Sequence, residues 1–474
     1  MAKHREYRIL GKDLDRLSHV EGAGHSATRP LLRFGFCLGL VVLLLLLAAA
    51  TGIHIPTPAP LITGFAVAVY LGMSVGANDV ANSAGAAVSA KAMPLWLGLA
   101  AIAAAQLAGA LLAGEEVTRT IASGIFDSSQ FGPDAPSGRV MAAALIGAAI
   151  WITLANWARA PVSTTHSVIG AIAGAALTGL GIEAINLPVL ASIAISWMIA
   201  PVISAMIAAA VLSFLRRRVK FAEDRLTAAR FWLPALIGLT GTVFAGFLLA
   251  LPGRPEPGIF SLLACAGFGI LSAAASRWQL ERQIAAGPEG SRLSLKKLLT
   301  GPLVATALLS GFAHGANDVA NIAGPLSVIM QYSNSGSSPS LTVAIAGVSV
   351  AAGSLIFGRR LVRMVGTSIT RLNPTRAFCA ALAAAATVLS FSALGLPVST
   401  THCTVGGILG VGFYREWEDR RRRKSRDLLP AEELYRRKLV RRSHVWTTFA
   451  AWAVTVPGSG AAAALIYTFL TILS

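Results

Sequence analysis

The sequence predicts an all-α polytopic membrane protein, an inverted-topology repeat with broken helices or membrane hairpins and about 12–13 spans. Three observations predict this fold. Of the 474 residues, 54% are hydrophobic and 13% are charged, about half the charged fraction of a soluble globular domain. Two sequence motifs each occur twice, in the same order. The basic segments give the two motif copies opposite orientations in the membrane.

The repeated motifs divide the chain into two related halves. The first motif is GANDVAN, at residues 76–82 and again at 315–321. The second is PVSTTH, at residues 161–166 and again at 397–402. The first motif starts 85 residues before the second in one half and 82 residues before it in the other. Such nearly equal spacing indicates internal duplication.

Residues 1–60 are predicted to form a cytoplasmic N-terminus and an extra N-terminal transmembrane helix. A polar and basic segment is followed by an apolar run of membrane length at residues 34–53. A signal peptide is the alternative, but the basic segment before the run is long for one.

The first repeat is predicted to cover residues 61–215. It opens with an apolar segment, residues 61–93, in which Gly72, Gly76 and the motif asparagines are poor helix-interior residues. We therefore expect a helix broken in mid-membrane. Further spans are expected up to about residue 113 and near residues 140–158, 163–182 and 187–215.

Residues 216–299 are predicted to link the halves through two helices, near residues 231–251 and 258–276. The loops flanking this pair are basic, so they should lie in the cytoplasm. The second repeat, residues 300–414, then starts inside, whereas the first repeat starts outside. The two repeats are thus expected to be antiparallel in the membrane.

The second repeat is predicted to contain another broken segment and three spans, near residues 301–330, 341–358, 376–395 and 397–414. A basic cytoplasmic loop should follow at residues 415–444, and a C-terminal transmembrane helix at residues 445–474.

The charge and cysteine content exclude other classes. The formal net charge is +18, but the basic residues lie in short runs between apolar segments, where they set topology and do not indicate nucleic-acid binding. Four scattered cysteines show no paired spacing, so neither a disulfide framework nor a metal site is expected. They are Cys37, Cys265, Cys379 and Cys403.

Asp79 and Asp318, one in each GANDVAN copy, are candidate cation ligands. An unpaired carboxylate within a membrane costs at least about 2.5 kcal/mol, so each must be compensated. A protonated carboxyl group or an interhelical hydrogen bond is the structural alternative. The flanking asparagines favour a small cation, which prefers oxygen ligands. The predicted cation-binding residues are Asn78, Asp79, Asn82, Asn317, Asp318 and Asn321.

The PVSTTH copies are candidate anion sites. Pro161 and Pro397 suit a first helical turn, and the free N–H groups at a helix start bind anions. Ordinary N-capping by Ser and Thr is the alternative. The predicted anion-binding residues are Ser163, Thr164, Thr165, Ser399, Thr400 and Thr401.

Charge balance links the two motifs. Neither motif contains Lys or Arg, so the charge of an anion held by the hydroxyl-rich helix starts must be neutralised by a mobile cation. The charges of the two aspartates need a cation for the same reason. A cation-coupled anion symporter meets both needs. His166 and His402 close the PVSTTH copies, with a structural hydrogen-bonding role or a proton-carrying role.

At these motifs the chain resembles the inorganic phosphate transporter (PiT) family, whose signature is the same duplicated pair of motifs. The resemblance extends from about residue 61 to the C-terminus. It implies a midplane phosphate site, bound by the serines and threonines above, and coupling to Na⁺ or H⁺. The implied Na⁺ ligands are Asp79, Asn82, Asp318 and Asn321. The near-identity of the GANDVAN copies favours Na⁺.

We further expect a multi-pass protein of the cell (inner) membrane, with the lipid bilayer, inorganic phosphate and the coupling cation as partners. A homodimer is one candidate assembly, and the sequence alone does not give the oligomeric state. No enzymatic activity, no cofactor and no nucleic acid are expected. A sulfate permease of the same fold is the alternative, because sulfate is also a tetrahedral dianion. An intramembrane Ser/His hydrolase and a channel are alternatives of other classes, which the two-fold repetition disfavours.

Overall fold

The computed structural model describes residues 59–126, 136–157, 162–254, 258–286, 295–332, 339–364, 374–423 and 442–472. The predicted N-terminal span at residues 34–53 and Pro161 of the first PVSTTH copy lie outside these ranges. Among the described residues the only β contact is an isolated bridge between Phe126 and Ile185, and almost all others are helical. The predicted all-α membrane fold is confirmed.

Fifteen helices follow one another along the described residues. The first six are α1 (Ala59–Ser89), α2 (Leu95–Ala113), α3 (Glu115–Arg119), α4 (Ser137–Trp157), α5 (Thr164–Leu180) and α6 (Leu187–Leu215). The next three are α7 (Arg225–Leu249), α8 (Ile259–Ala285) and the short α9 (Leu295–Leu298). The last six are α10 (Thr300–Asp318), α11 (Ala320–Tyr332), α12 (Pro339–Met364), α13 (Pro374–Ala393), α14 (Thr400–Arg423) and α15 (Arg442–Ile472).

Nine of these helices, counted over the described ranges, are long and apolar enough to cross a membrane. They are α1, α2, α4, α6, α7, α8, α12, α13 and α15. Of the helices that carry or follow the motifs, α1 is among these nine, whereas α5, α10, α11 and α14 are shorter or less apolar. The expected total of about 12–13 spans stays a prediction.

The GANDVAN segments are not broken as predicted. The first copy lies inside α1, a continuous helix of 31 residues. The second copy is interrupted only at Val319, whose φ of −57° and ψ of −32° remain helical. Helix propensity is a weak prior, and packing overrides it here. Non-helical backbone lies instead in the PVSTTH copies, where Ser163 has a φ of −88° and a ψ of 126°.

Glycines bring the two halves into reciprocal contact. A Cβ atom added to Gly76 of α1 would lie 1.9 Å from the backbone oxygen of Val350 in α12. One added to the equivalent Gly315 of α10 would lie 1.9 Å from the backbone oxygen of Gln106 in α2. Thus α1 packs on α12 as α10 packs on α2, with backbones touching through small residues, as membrane helices commonly do.

The PVSTTH helices show the same reciprocity. In α5, Gly170 and Gly174 touch the backbone of α15, and in α14 Gly406 and Gly410 touch the backbone of α6. Each pair has GxxxG spacing, which allows two helix backbones to approach closely. The partner of α14 is therefore α6, and the partner of α5 is the C-terminal helix α15.

We predict that Gly76→Ala and Gly315→Ala each destabilise the protein by about 1–3 kcal/mol, because the new methyl group overlaps a backbone that cannot yield. The measurement is the thermal unfolding midpoint in detergent. Gly267→Ala on α8 is the matched control, since nothing lies within 4 Å of its added Cβ atom. Equal midpoints for all three variants would contradict the proposed packing constraint.

Candidate functional site

The two motif aspartates meet at the crossing of α1 and α10. Asp79 is 4% exposed and Asp318 is 1% exposed, and their carboxyl groups lie within hydrogen-bonding reach of each other. One turn further along α1, Ser83 contacts His314, which lies one turn back along α10. The two motif helices therefore cross in antiparallel directions. Adjacent carboxylates repel unless a proton or a cation lies between them.

The second PVSTTH copy is bound to the second GANDVAN copy. The Asn317 amide donates to the Val398 carbonyl oxygen at 2.8 Å and accepts from the Val398 N–H at 3.2 Å. The Thr400 hydroxyl donates to Asp318 Oδ2 at 3.0 Å. Asn317 and Asp318 thus hold the extended backbone and the first helical turn of the second PVSTTH copy.

The first PVSTTH copy joins the same network through Thr165. Asn321 Nδ2 donates to Thr165 Oγ1 at 3.3 Å, and this hydroxyl donates to the Val398 carbonyl oxygen at 3.3 Å. Thr165 comes from the first half of the chain, whereas both of its partners come from the second. The two halves therefore share one polar centre.

Both PVSTTH serines cap the helices that follow them. Ser163 Oγ accepts from the His166 backbone N–H and Ser399 Oγ accepts from the His402 backbone N–H, each at 3.3 Å. The N-capping alternative is thus observed at both serines. A hydroxyl group that accepts one hydrogen bond can still donate its own proton, so capping leaves the serines available as anion donors.

The two motif histidines pack against each other. Their ring centroids are 4.5 Å apart at an interplanar angle of 85°. Trp197 of α6 packs on His166 at 3.8 Å and donates from Nε1 to the Pro397 carbonyl oxygen at 2.9 Å. Both imidazoles are buried, so this cluster joins the starts of α5 and α14.

The remaining predicted residues are more open. They are partly exposed, and no hydrogen bond from their side chains to another described residue is formed. These residues are Asn78, Asn82, Thr164 and Thr401. The structure therefore brings one set of candidates into tight contact and leaves another facing open space.

Three buried oxygens at the centre have no donor among the described residues: Asp79 Oδ2, Asp318 Oδ1 and Asn321 Oδ1. No described Lys or Arg forms an ion pair with either aspartate. The same part of the chain contains no group of three His, Cys, Asp or Glu residues that could hold a metal ion. Two carboxylates and an amide oxygen instead suit a small hard cation such as Na⁺.

Sequence reasoning missed a buried polar pair beside the carboxyl groups. The Ser83 hydroxyl lies 2.6 Å from His314 Nδ1, and it donates to Ser310 Oγ at 3.4 Å. The available signal was an asymmetry between the copies, because His314 precedes the second GANDVAN where Val75 precedes the first.

Comparison with known proteins identifies the family. A model of the phosphate transporter family matches residues 75–463. The chain belongs to the phosphate transporter family. The resemblance drawn from the duplicated motifs is thereby confirmed.

Relatives and a solved structure agree with this assignment. A "Putative phosphate permease" of Helicobacter pylori strain J99 is 36% identical over 437 residues, covering 87% of this chain and 80% of that protein. The chloroplastic inorganic phosphate transporter 2-1 of Arabidopsis thaliana is 32% identical, with 87% and 71% covered. A solved sodium-dependent phosphate transporter has a TM-score of 0.77 and 27% identity, covering 88% of this chain and all (100%) of that one.

We predict that Ser83→Ala lowers stability by about 1–3 kcal/mol, because it leaves His314 Nδ1 buried without its hydroxyl partner. The thermal unfolding midpoint in detergent measures this effect. Ser310→Ala is the matched control and should cost less, since its contact with Ser83 is long at 3.4 Å. An effect of Ser310→Ala as large as that of Ser83→Ala would show that the histidine contact is not the stabilising one.

Proposed function

We propose that this member of the phosphate transporter family is a secondary active transporter that imports inorganic phosphate by symport with a cation, Na⁺ in preference to H⁺. The observation that carries the proposal is the set of buried acceptor oxygens without donors, which lies beside two hydroxyl-rich helix starts. The sodium dependence of the similar solved transporter supports the choice of Na⁺.

The cation would be held by Asp79 and Asp318 with the amides of Asn82 and Asn321. A cation between the carboxyl groups removes their repulsion and satisfies oxygens that otherwise accept no hydrogen bond. Asn78 and Asn317, one residue before each aspartate, would support the site. In this structure the Asn317 oxygen is already engaged by the Val398 N–H.

Phosphate would bind where the starts of α5 and α14 meet. Unsatisfied N–H groups and the helix dipole favour an anion there, and the hydroxyl groups of the PVSTTH copies can donate to its oxygens. Those of Thr165 and Thr400 would first have to release Val398 and Asp318. The bound cation then supplies the positive charge that the protein lacks at this point. Each ion lowers the cost of bringing the other into the membrane, which is the physical basis of coupling.

We propose an inverted repeat as the frame for this site. The antiparallel crossing of α1 and α10 supports it, as do the reciprocal glycine contacts of α1 with α12 and α10 with α2. Because α15 packs on α5 as α6 packs on α14, the second repeat would extend past residue 414 to include the C-terminal helix. The basic segments would face the cytoplasm of a cell (inner) membrane.

A hydrolase has no observation in its favour. Each PVSTTH serine hydroxyl accepts from a backbone N–H, and the duplicated arrangement suits alternating access by two halves. A homodimer stays a prediction, and light scattering of the detergent-solubilised protein is the measurement for it.

We predict that labelled phosphate enters proteoliposomes under an inward Na⁺ gradient, and that an imposed proton gradient alone gives no stimulation. The physical reason is the hard oxygen donor set, which binds Na⁺ directly. Liposomes without protein are the control. Stimulation by protons alone would reassign the coupling ion, and no uptake under either gradient would overturn the symport proposal.

We predict that Asp79→Asn and Asp318→Asn each abolish the Na⁺ stimulation of uptake, because each substitution removes an anionic oxygen donor from the proposed ion site. Glu183→Gln is the control: this carboxylate is exposed and follows the end of α5 opposite the motif, and its loss should leave uptake unchanged. Unaltered sodium dependence in both aspartate variants would remove the cation role from them.

We also predict that wild-type uptake resists competition by sulfate, because hydrogenphosphate carries a proton that it can donate to a carboxylate and sulfate does not. The measurement is inhibition of phosphate uptake by excess sulfate. Any residual uptake in the aspartate variants should be more sensitive to sulfate. Strong inhibition of the wild type would move the substrate assignment to a sulfate permease.

A further inference from the structure

The two halves of the site carry equivalent residues in unequal states. From the motif registers, Asn78, Asp79 and Asn82 of the first half correspond to Asn317, Asp318 and Asn321 of the second. In the same way Val162, Thr164 and Thr165 correspond to Val398, Thr400 and Thr401. A symmetric structure would form the same hydrogen bonds in both halves.

One set of contacts is complete. We call it the second-half clamp: the double hydrogen bond of Asn317 with Val398, the bond from Thr400 to Asp318, and the bonds of Thr165 with Asn321 and Val398. Its side chains are buried, with exposures of 0% for Asn317, 0% for Asn321 and 3% for Thr400. The two motifs are therefore bonded to each other at buried positions in this clamp.

The equivalent set, the first-half clamp, would consist of Asn78 with Val162, Thr164 with Asp79, and Thr401 with Asn82 and Val162. None of these bonds is formed, although all of the residues are described. Asn78, Asn82, Val162, Thr164 and Thr401 are partly exposed, whereas each of their counterparts is buried. The contrast holds at five equivalent positions, so it describes one half closed and the other open.

We propose that the two clamps are alternately formed gates, with Asn78 and Asn317 as the positioning residues that close them. This inference rests on the proposed transport function and adds the contacts that exchange during it. Because the halves supply the same residue types, breaking one clamp and forming the other conserves the hydrogen bonds. The two states then differ little in energy, as alternating access requires.

The orientation of the helices indicates which side of the membrane each gate faces. With the basic segments in the cytoplasm, α14 runs inward from Thr400, so Val398 lies on the outer side of the site. Helix α6 ends inside at Arg216, so α5 runs outward and Val162 lies on the inner side. The closed second-half clamp therefore seals the site from outside, and the open first-half clamp leads to the cytoplasm.

The test uses a single cysteine at equivalent positions, Thr164→Cys or Thr400→Cys, in a chain with Cys37 and Cys265 replaced by Ser. Cys379 and Cys403 are buried and are kept. The labelling of the same chain without the added cysteine is measured as background and subtracted. A membrane-impermeant maleimide is added to inside-out or right-side-out vesicles without phosphate or Na⁺. We expect rapid labelling of Thr164→Cys in inside-out vesicles and protection of Thr400→Cys on both sides.

The two asparagines are then removed separately, as matched variants. Asn317→Ala weakens the closed gate, so labelling of Thr400→Cys from the outer side should rise about tenfold, the shift expected for two lost hydrogen bonds. Asn78→Ala weakens only the alternate state, in which the first-half clamp is formed. Labelling of Thr400→Cys from the outer side should therefore fall further, and labelling of Thr164→Cys from the cytoplasmic side should persist. Opposite effects of equivalent substitutions cannot come from general unfolding, which size-exclusion profiles also monitor.

The clamp proposal would be overturned if Thr164→Cys and Thr400→Cys were labelled equally in chains that keep both asparagines. It would also be overturned if both asparagine substitutions shifted the labelling of Thr400→Cys in the same direction. Phosphate uptake is measured in parallel on the chain in which only Cys37 and Cys265 are replaced, because it keeps Thr164 and Thr400. Uptake without the labelling pattern would refute the clamps and leave the transport proposal intact. The labelling pattern without uptake would support the clamps and refute phosphate as the substrate.

Discussion

The contact between Asp79 and Asp318 is the constraint on which the rest of the site depends. Two carboxyl groups buried within a membrane protein are costly, and no described Lys or Arg pairs with them. Their cost is tolerable only if something that arrives from solution neutralises them. In the proposed transporter a cation completes this site and an anion binds beside it at the hydroxyl-rich helix starts, so the binding of each ion would depend on the other.

The packing of the helices serves this contact. The carboxyl groups meet because α1 and α10 cross, and these helices are held by backbone contacts with α12 and α2 at Gly76 and Gly315. Any side chain at either position would push a backbone away and separate the halves. The glycines of GANDVAN are thus explained by helix packing, whereas its aspartates and asparagines are explained by the polar centre. One short motif therefore carries both the packing and the chemistry of the site.

Sequence patterns predicted the helical fold and the family because apolar length and repeated motifs are local signals. They failed on the GANDVAN segments, since Gly76 and Asn78 have poor helix propensity but lie in a helix stabilised by neighbours far away in sequence. They also missed Ser83 and His314, which lie 231 residues apart and form a pair only through the antiparallel crossing. His314 before the second motif, where the first has Val75, marks an asymmetry between the copies but does not identify Ser83 as its partner.

The sequence also did not predict that Asn78 and Asn317 form different contacts, and the reason is a different one. Both lie in the same seven-residue motif, yet one is partly exposed and the other is fully buried and doubly bonded to Val398. Identical motifs encode the same preferences, so a sequence repeat predicts symmetric contacts. A protein that works by exchanging two states must break that symmetry in each of them. Under the proposed exchange of clamps, the asymmetry is a property of the conformation, and it would allow one motif to serve both sides of the membrane.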